Sequence, residues 1–293
     1  MVAVIVHGGA WDIPDDEAPA HLVGIRRAVL TGYDLLTQGG RAVDAVERAI
    51  MLMEDDGTFD AGRGSFLNAD GIVELDAGMM SGRDLAAGAV AGVRNVRHPV
   101  RLARAVMDSP HVMIVGEGAS RFATAAGLPL CDPAELRCER EVRRWQAFQQ
   151  GRSTDIFGGG TVGAVALDGH GDIVAATSTG GSPNKPPGRV GDSPLIGCGT
   201  YASADGGVST TGWGEAMIRV TMARSAVDLL TGGRDAQAAA QEAIRMLEAR
   251  VGGLGGLIVL DRQGRVGCAF NTPRMARAYL CEGMSAPQVA IDP

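Results

Sequence analysis

The sequence predicts an α+β fold in which two β-sheets stack face to face between two layers of helices. Three observations point there. Strand-like runs arrive in pairs and helix-like runs arrive in pairs, without the strict β-α-β-α alternation of a doubly wound parallel sheet. The 43 glycines follow no repeat period, which suits close backbone packing and tight turns. With 45% hydrophobic and 21% charged residues, the 293-residue chain can bury a sizeable core.

Taken in order, residues 2–7 read as a buried strand, and His7-Gly-Gly-Ala10 is expected to turn the chain. Leu22, Ile25, Val29, Leu30, Tyr33 and Leu36 have helical spacing over about 20–37, and Val43, Val46, Ile50 and Met53 over about 42–54, with Gly39-Gly40 between. A glycine-punctuated loop, 57–68, precedes strand-like runs at 72–79 and 86–93. Helices are expected at about 98–107, 118–126 and 133–149, then a linker, 151–160, ending in three glycines. Thr161–Leu167 and Ile173–Ser178 read as strands joined by Asp168-Gly-His-Gly-Asp172, a hairpin signal. A long polar loop follows to Ser193. A strand near 208–211, helices at about 214–231 and 234–250, and strands at about 255–260 and 265–271 complete the prediction.

Composition removes several classes of function. A net charge of −7 argues against a nucleic-acid partner, because such affinity rests on Lys and Arg neutralising phosphates. The basic cluster Arg137–Arg144 also holds Glu139 and Glu141 and reads as a solvated helix face. No apolar stretch reaches the roughly 20 residues of a membrane span. The N-terminus lacks a basic flank and an apolar leader, so a cytoplasmic protein is expected. Five widely spaced cysteines without CxxC fit reduced, mostly buried thiols. The five histidines show no metal spacing, and His7 and His170 are read as structural.

The segment richest in chemistry is Gly158-Gly-Gly-Thr161-Val-Gly-Ala-Val. A threonine hydroxyl is a poor nucleophile until a base takes its proton, and an N-terminal threonine carries one in its own α-amine. Glycines before Thr161 allow the backbone in which its hydroxyl reaches the preceding carbonyl, and the strand after it would hold a new terminus. On this segment alone, a β-branched residue opening a strand is the preferred reading. Downstream residues shift the balance. Arg189 and Asp192 lie three positions apart in a loop and could clamp the carboxylate and ammonium of an α-amino acid. Thr211-Gly212 ends a strand where a hydroxyl and a backbone N–H could form an oxyanion hole. Singly, these residues read as a surface ion pair and a helix cap.

Ordered motifs along nearly the whole chain then carry a resemblance. They include His7-Gly-Gly-Ala10, Phe59-Asp-Ala-Gly-Arg-Gly64, Glu74-Leu-Asp-Ala77, Ala86-Ala-Gly-Ala-Val-Ala-Gly92, Gly160-Thr-Val-Gly-Ala-Val-Ala-Leu-Asp168, Ala176–Gly181, Pro187–Pro194 and Thr211-Gly212. In these the chain resembles the plant-type asparaginase/isoaspartyl peptidase family of Ntn hydrolases, whose fold is a four-layer αββα sandwich. The resemblance implies a single domain, 1–293, that cuts itself between Gly160 and Thr161 into an α subunit (1–160) and a β subunit (161–293). It implies Thr161 as nucleophile, Thr179 orienting its hydroxyl, and Thr211 with the Gly212 N–H as oxyanion hole. Arg189 would bind the substrate carboxylate, and Asp192 its ammonium with help from Gly212 and the Gly214 carbonyl. Backbone oxygens of Met53, Glu54, Asp56, Phe59, Ala61 and Arg63 would hold a structural sodium ion. No organic cofactor is implied; the substrate is a small β-aspartyl dipeptide or asparagine, and the assembly a homodimer of αβ units.

Departures accompany the match. Gly158-Gly-Gly160 lacks the usual polar residue one or two places before the cut, and the linker is short. Asp60 stands where the family has Asn, and Arg63 where a small or apolar residue is common. A glycosylasparaginase-like activity and a non-maturing amino-acid-binding homologue are the alternatives. Gly197-Cys-Gly-Thr-Tyr-Ala202 matches a dinucleotide fingerprint but lacks its strand–turn–helix setting, so it is read as chance. Glu74 and Asp76 alternate on a strand and could form a paired-carboxylate site, but are read as a polar sheet face or loop anchor; Trp213 is read as lining the pocket rather than packing under the helix at 214–231.

Overall fold

A computed structural model describes residues 1–152 and 159–293. The chain enters on strand β1 (Ala3–Trp11), followed by helices α1 (Ala18–Thr37) and α2 (Ala42–Asp56) and strands β2 (Leu75–Ser81) and β3 (Ala87–Val93). Helix α3 (Pro99–Met107), strand β4 (Met113–Val115) and helices α4 (Gly116–Ala125) and α5 (Glu139–Gln149) complete the first half. The second half runs β5 (Val162–Leu167), β6 (Ile173–Thr179), β7 (Thr200–Ser203) and β8 (Gly206–Gly212). Helices α6 (Gly214–Val220), α7 (Met222–Thr231) and α8 (Ala236–Val251) come next. Strands β9 (Gly255–Asp261), β10 (Val266–Phe270), β11 (Arg274–Cys281) and β12 (Gln288–Ala290) close it.

The strands form two sheets, one in the order β12-β11-β1-β5-β6-β2-β3-β4 and one in the order β10-β9-β8-β7. Alternation along each strand sorts side chains into layers. Val4, Val6, Ala164 and Ala166 face Ile25, Val29, Val46 and Ile50 of α1 and α2. Ala3, Ile5, Val165 and Leu167 face the other way, onto Ile258 and Leu260 of the smaller sheet. That sheet's outer side, Val208, Leu257 and Val259, packs under α6, α7 and α8. The expected αββα sandwich is therefore the observed one.

Several local expectations fail for identifiable reasons. His7-Gly-Gly-Ala10 does not turn; β1 runs on to Trp11 through a bulge, with its register against β11 shifting between His7 and Ala10. The bulge brings Gly8 onto the Phe59 ring and Gly9, at φ +103°, onto the Gly159 carbonyl, where an added Cβ would come within 2.4 Å of either. The helix expected over 133–149 is broken, because Leu136 drops into a small cluster with Leu67, Val73 and Leu75, and Arg137 and Cys138 are extended. The helix expected over 214–231 breaks at Thr221, which is left-handed at φ 47°. There α7 is re-aimed so that the Ala223 and Arg224 amides reach the Cys198 and Gly197 carbonyls.

Residues 197–202 lead into β7 with no following helix, so the nucleotide fingerprint is a chance match. The Arg137–Arg144 segment is not simply solvated: Glu141 is buried and pairs with Arg140 at 2.5 Å and Arg144 at 2.9 Å. All five cysteines are free, but only Cys198 is fully buried. Among the described residues no helix is long and apolar enough to cross a membrane. Within the expected linker, 153–158 lie outside the described residues, Gly158 included.

Candidate active site

Thr161 stands immediately before β5, and the pairing of Val162 with Ser178 sets it opposite Thr179 at the end of β6. Both are buried, and their hydroxyls are 2.9 Å apart. The Thr179 hydroxyl accepts from the Gly181 N–H at 2.9 Å and donates to Asp60 Oδ2 at 3.3 Å. A hydroxyl has one proton to give. Above about pH 7, where Asp60 is charged, that proton points at the carboxylate and the Thr161 hydroxyl is the donor in the threonine pair.

Asp60 is held by the loop after α2. Its Oδ1 accepts from the Phe66 N–H at 2.9 Å, and its own N–H donates to the Gly160 carbonyl at 3.0 Å. Burial pushes its carboxyl up to about 7 and the Glu141 charge adds to this, against the Phe66 N–H, Lys185 and the Thr179 hydroxyl. Sequence reasoning marked Asp60 as a departure but gave it no place in the site. Its position beside Thr179 depends on Gly180, where a Cβ would lie 2.4 Å from Oδ1.

Beneath Thr161 the two sheets are stitched by polar groups. His7 Nε2 meets Ser209 Oγ at 2.9 Å, Ser209 meets Thr177 at 2.6 Å, and Thr200 donates to Thr177 at 2.7 Å. Burial lowers the His7 pKa to about 3, with a hydrogen bond to the Thr161 backbone opposing it, so the ring is neutral at pH 7. The structural reading of His7 matches this arrangement.

Arg189 and Asp192 come together from the loop between β6 and β7. Arg189 is gripped by Glu215, Nε to Oε1 and Nη2 to Oε2, each at 2.9 Å. Glu215 was missed in the sequence; its only signal is its place one residue after Gly214. Asp192 is buried and accepts from the Thr210 hydroxyl at 2.6 Å. Burial raises its carboxyl to about 6, against the hydrogen bond from Thr210 and the Arg189 charge. The loop is anchored from the residue before β2: Glu74 accepts from the Gly188 N–H at 3.1 Å and from Arg94 at 2.7 Å, and the Lys185 ammonium donates to the Glu74 carbonyl at 3.0 Å. Glu74 is thus the loop anchor the sequence suggested.

On the facing sheet β8 ends in Thr211 and Gly212. The Thr211 hydroxyl is buried and has no hydrogen-bond partner among the described residues. Gly212 has φ +131°, a conformation open to glycine, and a Cβ there would strike Gly255 Cα at 2.4 Å. Thr161, Thr179, Arg189, Asp192, Gly212 and Gly214 all line one cavity of about 270 Å³. Trp213 lines it too, as expected. Thr211 and Gly160 are not among the described residues that line it, whereas Gly159 is.

The residues named for a cation flank Asp60, at the end of α2 and in the loop beyond, and none of them is among the residues lining the cavity. Among the described residues no cluster of His, Cys, Asp or Glu could hold a metal ion. The backbone packs closely there: a Cβ on Gly62 would meet the Glu54 oxygen at 2.6 Å, and one on Gly64 the Gly57 and Phe59 oxygens at 2.7 and 2.8 Å. Backbone carbonyl oxygens are the ligand type a hard cation takes. The Glu54 carbonyl also accepts from the Arg63 N–H at 2.8 Å.

A family model described as asparaginase matches residues 1–291. The plant-type L-asparaginase of Pyrococcus furiosus is 45% identical over 99% of this chain and 100% of its own length. The isoaspartyl peptidase/L-asparaginase of Xenopus laevis is 43% identical over 94% and 91%, and that of Bos taurus 44% identical over 96% and 93%. An Ntn-type sandwich, a site at the shared end of its two sheets and similarity along nearly the full chain agree: this chain belongs to the plant-type L-asparaginase/isoaspartyl peptidase family of Ntn hydrolases.

Proposed function

We propose that the chain is an N-terminal-threonine amidohydrolase that cuts itself between Gly160 and Thr161 and then releases L-aspartate from β-aspartyl dipeptides and L-asparagine. The observation that carries this reading is the Thr161–Thr179 hydroxyl pair opening onto the cavity that also holds Arg189 and Asp192. A cation and an anion side by side suit the zwitterionic head group of an α-amino acid, with the Gly214 carbonyl supporting the ammonium.

In turnover the free Thr161 amine takes the proton of its own hydroxyl, which Thr179 orients, and Oγ1 attacks the side-chain carbonyl carbon of the substrate. The unpartnered Thr211 hydroxyl and the Gly212 N–H receive the developing oxyanion. The C–N bond breaks, the amine leaves with the proton, and water hydrolyses the aspartyl ester. All of these steps use groups of this chain. A sodium ion held by backbone oxygens of Met53, Glu54, Asp56, Phe59, Ala61 and Arg63 would brace the loop that carries Asp60. The working form in this reading is a cytoplasmic homodimer of αβ units.

The test is a denaturing gel with mass spectrometry, run beside asparagine and β-aspartyl dipeptide assays. Wild type should give fragments 1–160 and 161–293 and hydrolyse both substrates. Thr161→Ala should stay one chain and lose activity by at least about 10³-fold. A Thr161→Ala variant that still splits or turns over would sink the nucleophile assignment.

A further inference from the structure

A second cavity, of about 310 Å³, adjoins the first and shares Trp11 and Asp12 with it. Its walls include Phe66, Trp145 and Phe148, with Arg144 among them. In a chain with 4% aromatic residues and three tryptophans, this concentration is unusual: all three tryptophans stand at one or other of these two cavities. The indole nitrogens of Trp11 and Trp145 are buried without a hydrogen-bond partner among the described residues. Aromatic walls are a feature of a small-molecule site, and the volume lies at the lower end of the roughly 300–1,000 Å³ such sites span. The Arg144 charge in this wall is neutralised by Glu17 and Glu141. Its guanidinium lies 5.7 Å from the Trp11 ring centre and 6.0 Å from that of Phe66, bracing two aromatic walls.

The geometry points to this cavity as the leaving-group subsite, taking the side chain of an aromatic amino acid linked through its α-amine to the aspartyl group. The inference rests on the amidohydrolase reading and deepens it by naming the substrate class. With the aspartyl head group at Arg189 and Asp192 and its carbonyl at Thr161, the leaving amine continues past Thr161 toward Trp11. The second cavity opens there. An aromatic-walled space rewards a ring, and the Asp12 carboxylate in the shared wall disfavours a glutamyl side chain. Asparagine, whose leaving group is ammonia, does not reach it.

The experiment compares kcat/KM for L-asparagine, β-aspartyl-glycine and β-aspartyl-phenylalanine in matured wild type, Trp145→Ala and Phe148→Ala. Wild type should favour β-aspartyl-phenylalanine over β-aspartyl-glycine by about tenfold or more. Either variant should lower the phenylalanine dipeptide by about five- to tenfold while asparagine stays within about twofold. Equal use of the two dipeptides by wild type, or a proportional fall for all three substrates in both variants, would overturn the subsite and leave the amidohydrolase reading standing. Failure of wild type to hydrolyse any of the three would remove both.

Discussion

At the scale of single residues, Asp192 makes the most direct connection between burial and function. Its carboxyl is raised to about 6, so below that pH it becomes protonated and can no longer hold an ammonium charge. L-Aspartate, the proposed product, keeps its ammonium throughout that range, which makes it a clean probe. Its inhibition constant should be flat above about pH 7 and weaken toward tenfold per pH unit below about 6. Asp192→Asn should bind weakly at every pH without that slope; a wild-type constant that stays flat from pH 5 to 7 would refute the role. Legibility at this scale was uneven. Thr161, Thr179, Arg189, Asp192 and Gly212 could be named because each sits in a distinctive motif, and they do line one cavity. Glu215, Thr210 and Asp60 could not be placed, because their parts come from contacts 18 to 119 positions distant in the chain.

At the scale of elements, the tight union of the two sheets depends on residues without side chains. Gly163 of β5 pairs with His7 of β1, and a Cβ there would lie 2.0 Å from Ser209 Oγ and 2.3 Å from His7 Nε2. Gly163→Ala should therefore part the His7–Ser209 hydrogen bond and destabilise the fold by about 1–3 kcal/mol. A urea titration measures it, and an unchanged midpoint would mean that the sheets slide apart more freely than this packing implies. Helices α1 and α2 were readable because their apolar residues keep helical spacing, and the β5–β6 hairpin because its turn is rich in Gly and Asp. Strand β11 was not readable. Arg274 and Arg277 interrupt its apolar pattern, and their partners, Asp15, Asp292 and carbonyls of Ile13 and Met275, appear only in the folded chain. Gly8-Gly9 resembled a turn because the reason for those glycines, the approach of Phe59 and Gly159, is also tertiary.

For the whole molecule, the order of the larger sheet matters more than its size. Strand β1 lies between β11 and β5, and β6 pairs with β2. A cut after Gly160 would thus leave strands of both fragments interleaved in one hydrogen-bonded sheet. Separating them would expose both ladders and the cores on each face. The cut protein should elute from a sizing column at the volume of uncut Thr161→Ala, although a denaturing gel resolves two fragments. Release of either fragment in native buffer would contradict the interleaved arrangement. The αββα class was legible from the pairing of elements, whereas the strand order was not, since neighbours such as β1 and β11 join opposite ends of the chain, Ala3 pairing with Cys281.

The pairing of Val162 with Ser178 has one more consequence. It is a long-lived reporter of correct assembly, because a slip of one residue would turn the Thr161 hydroxyl to the opposite face of the sheet. If scission needs that hydroxyl beside Thr179, a misregistered chain keeps its peptide bond and never gains the amine that activates it. Maturation would then act as an internal proofreading step, arming only those copies whose central strands have locked into register.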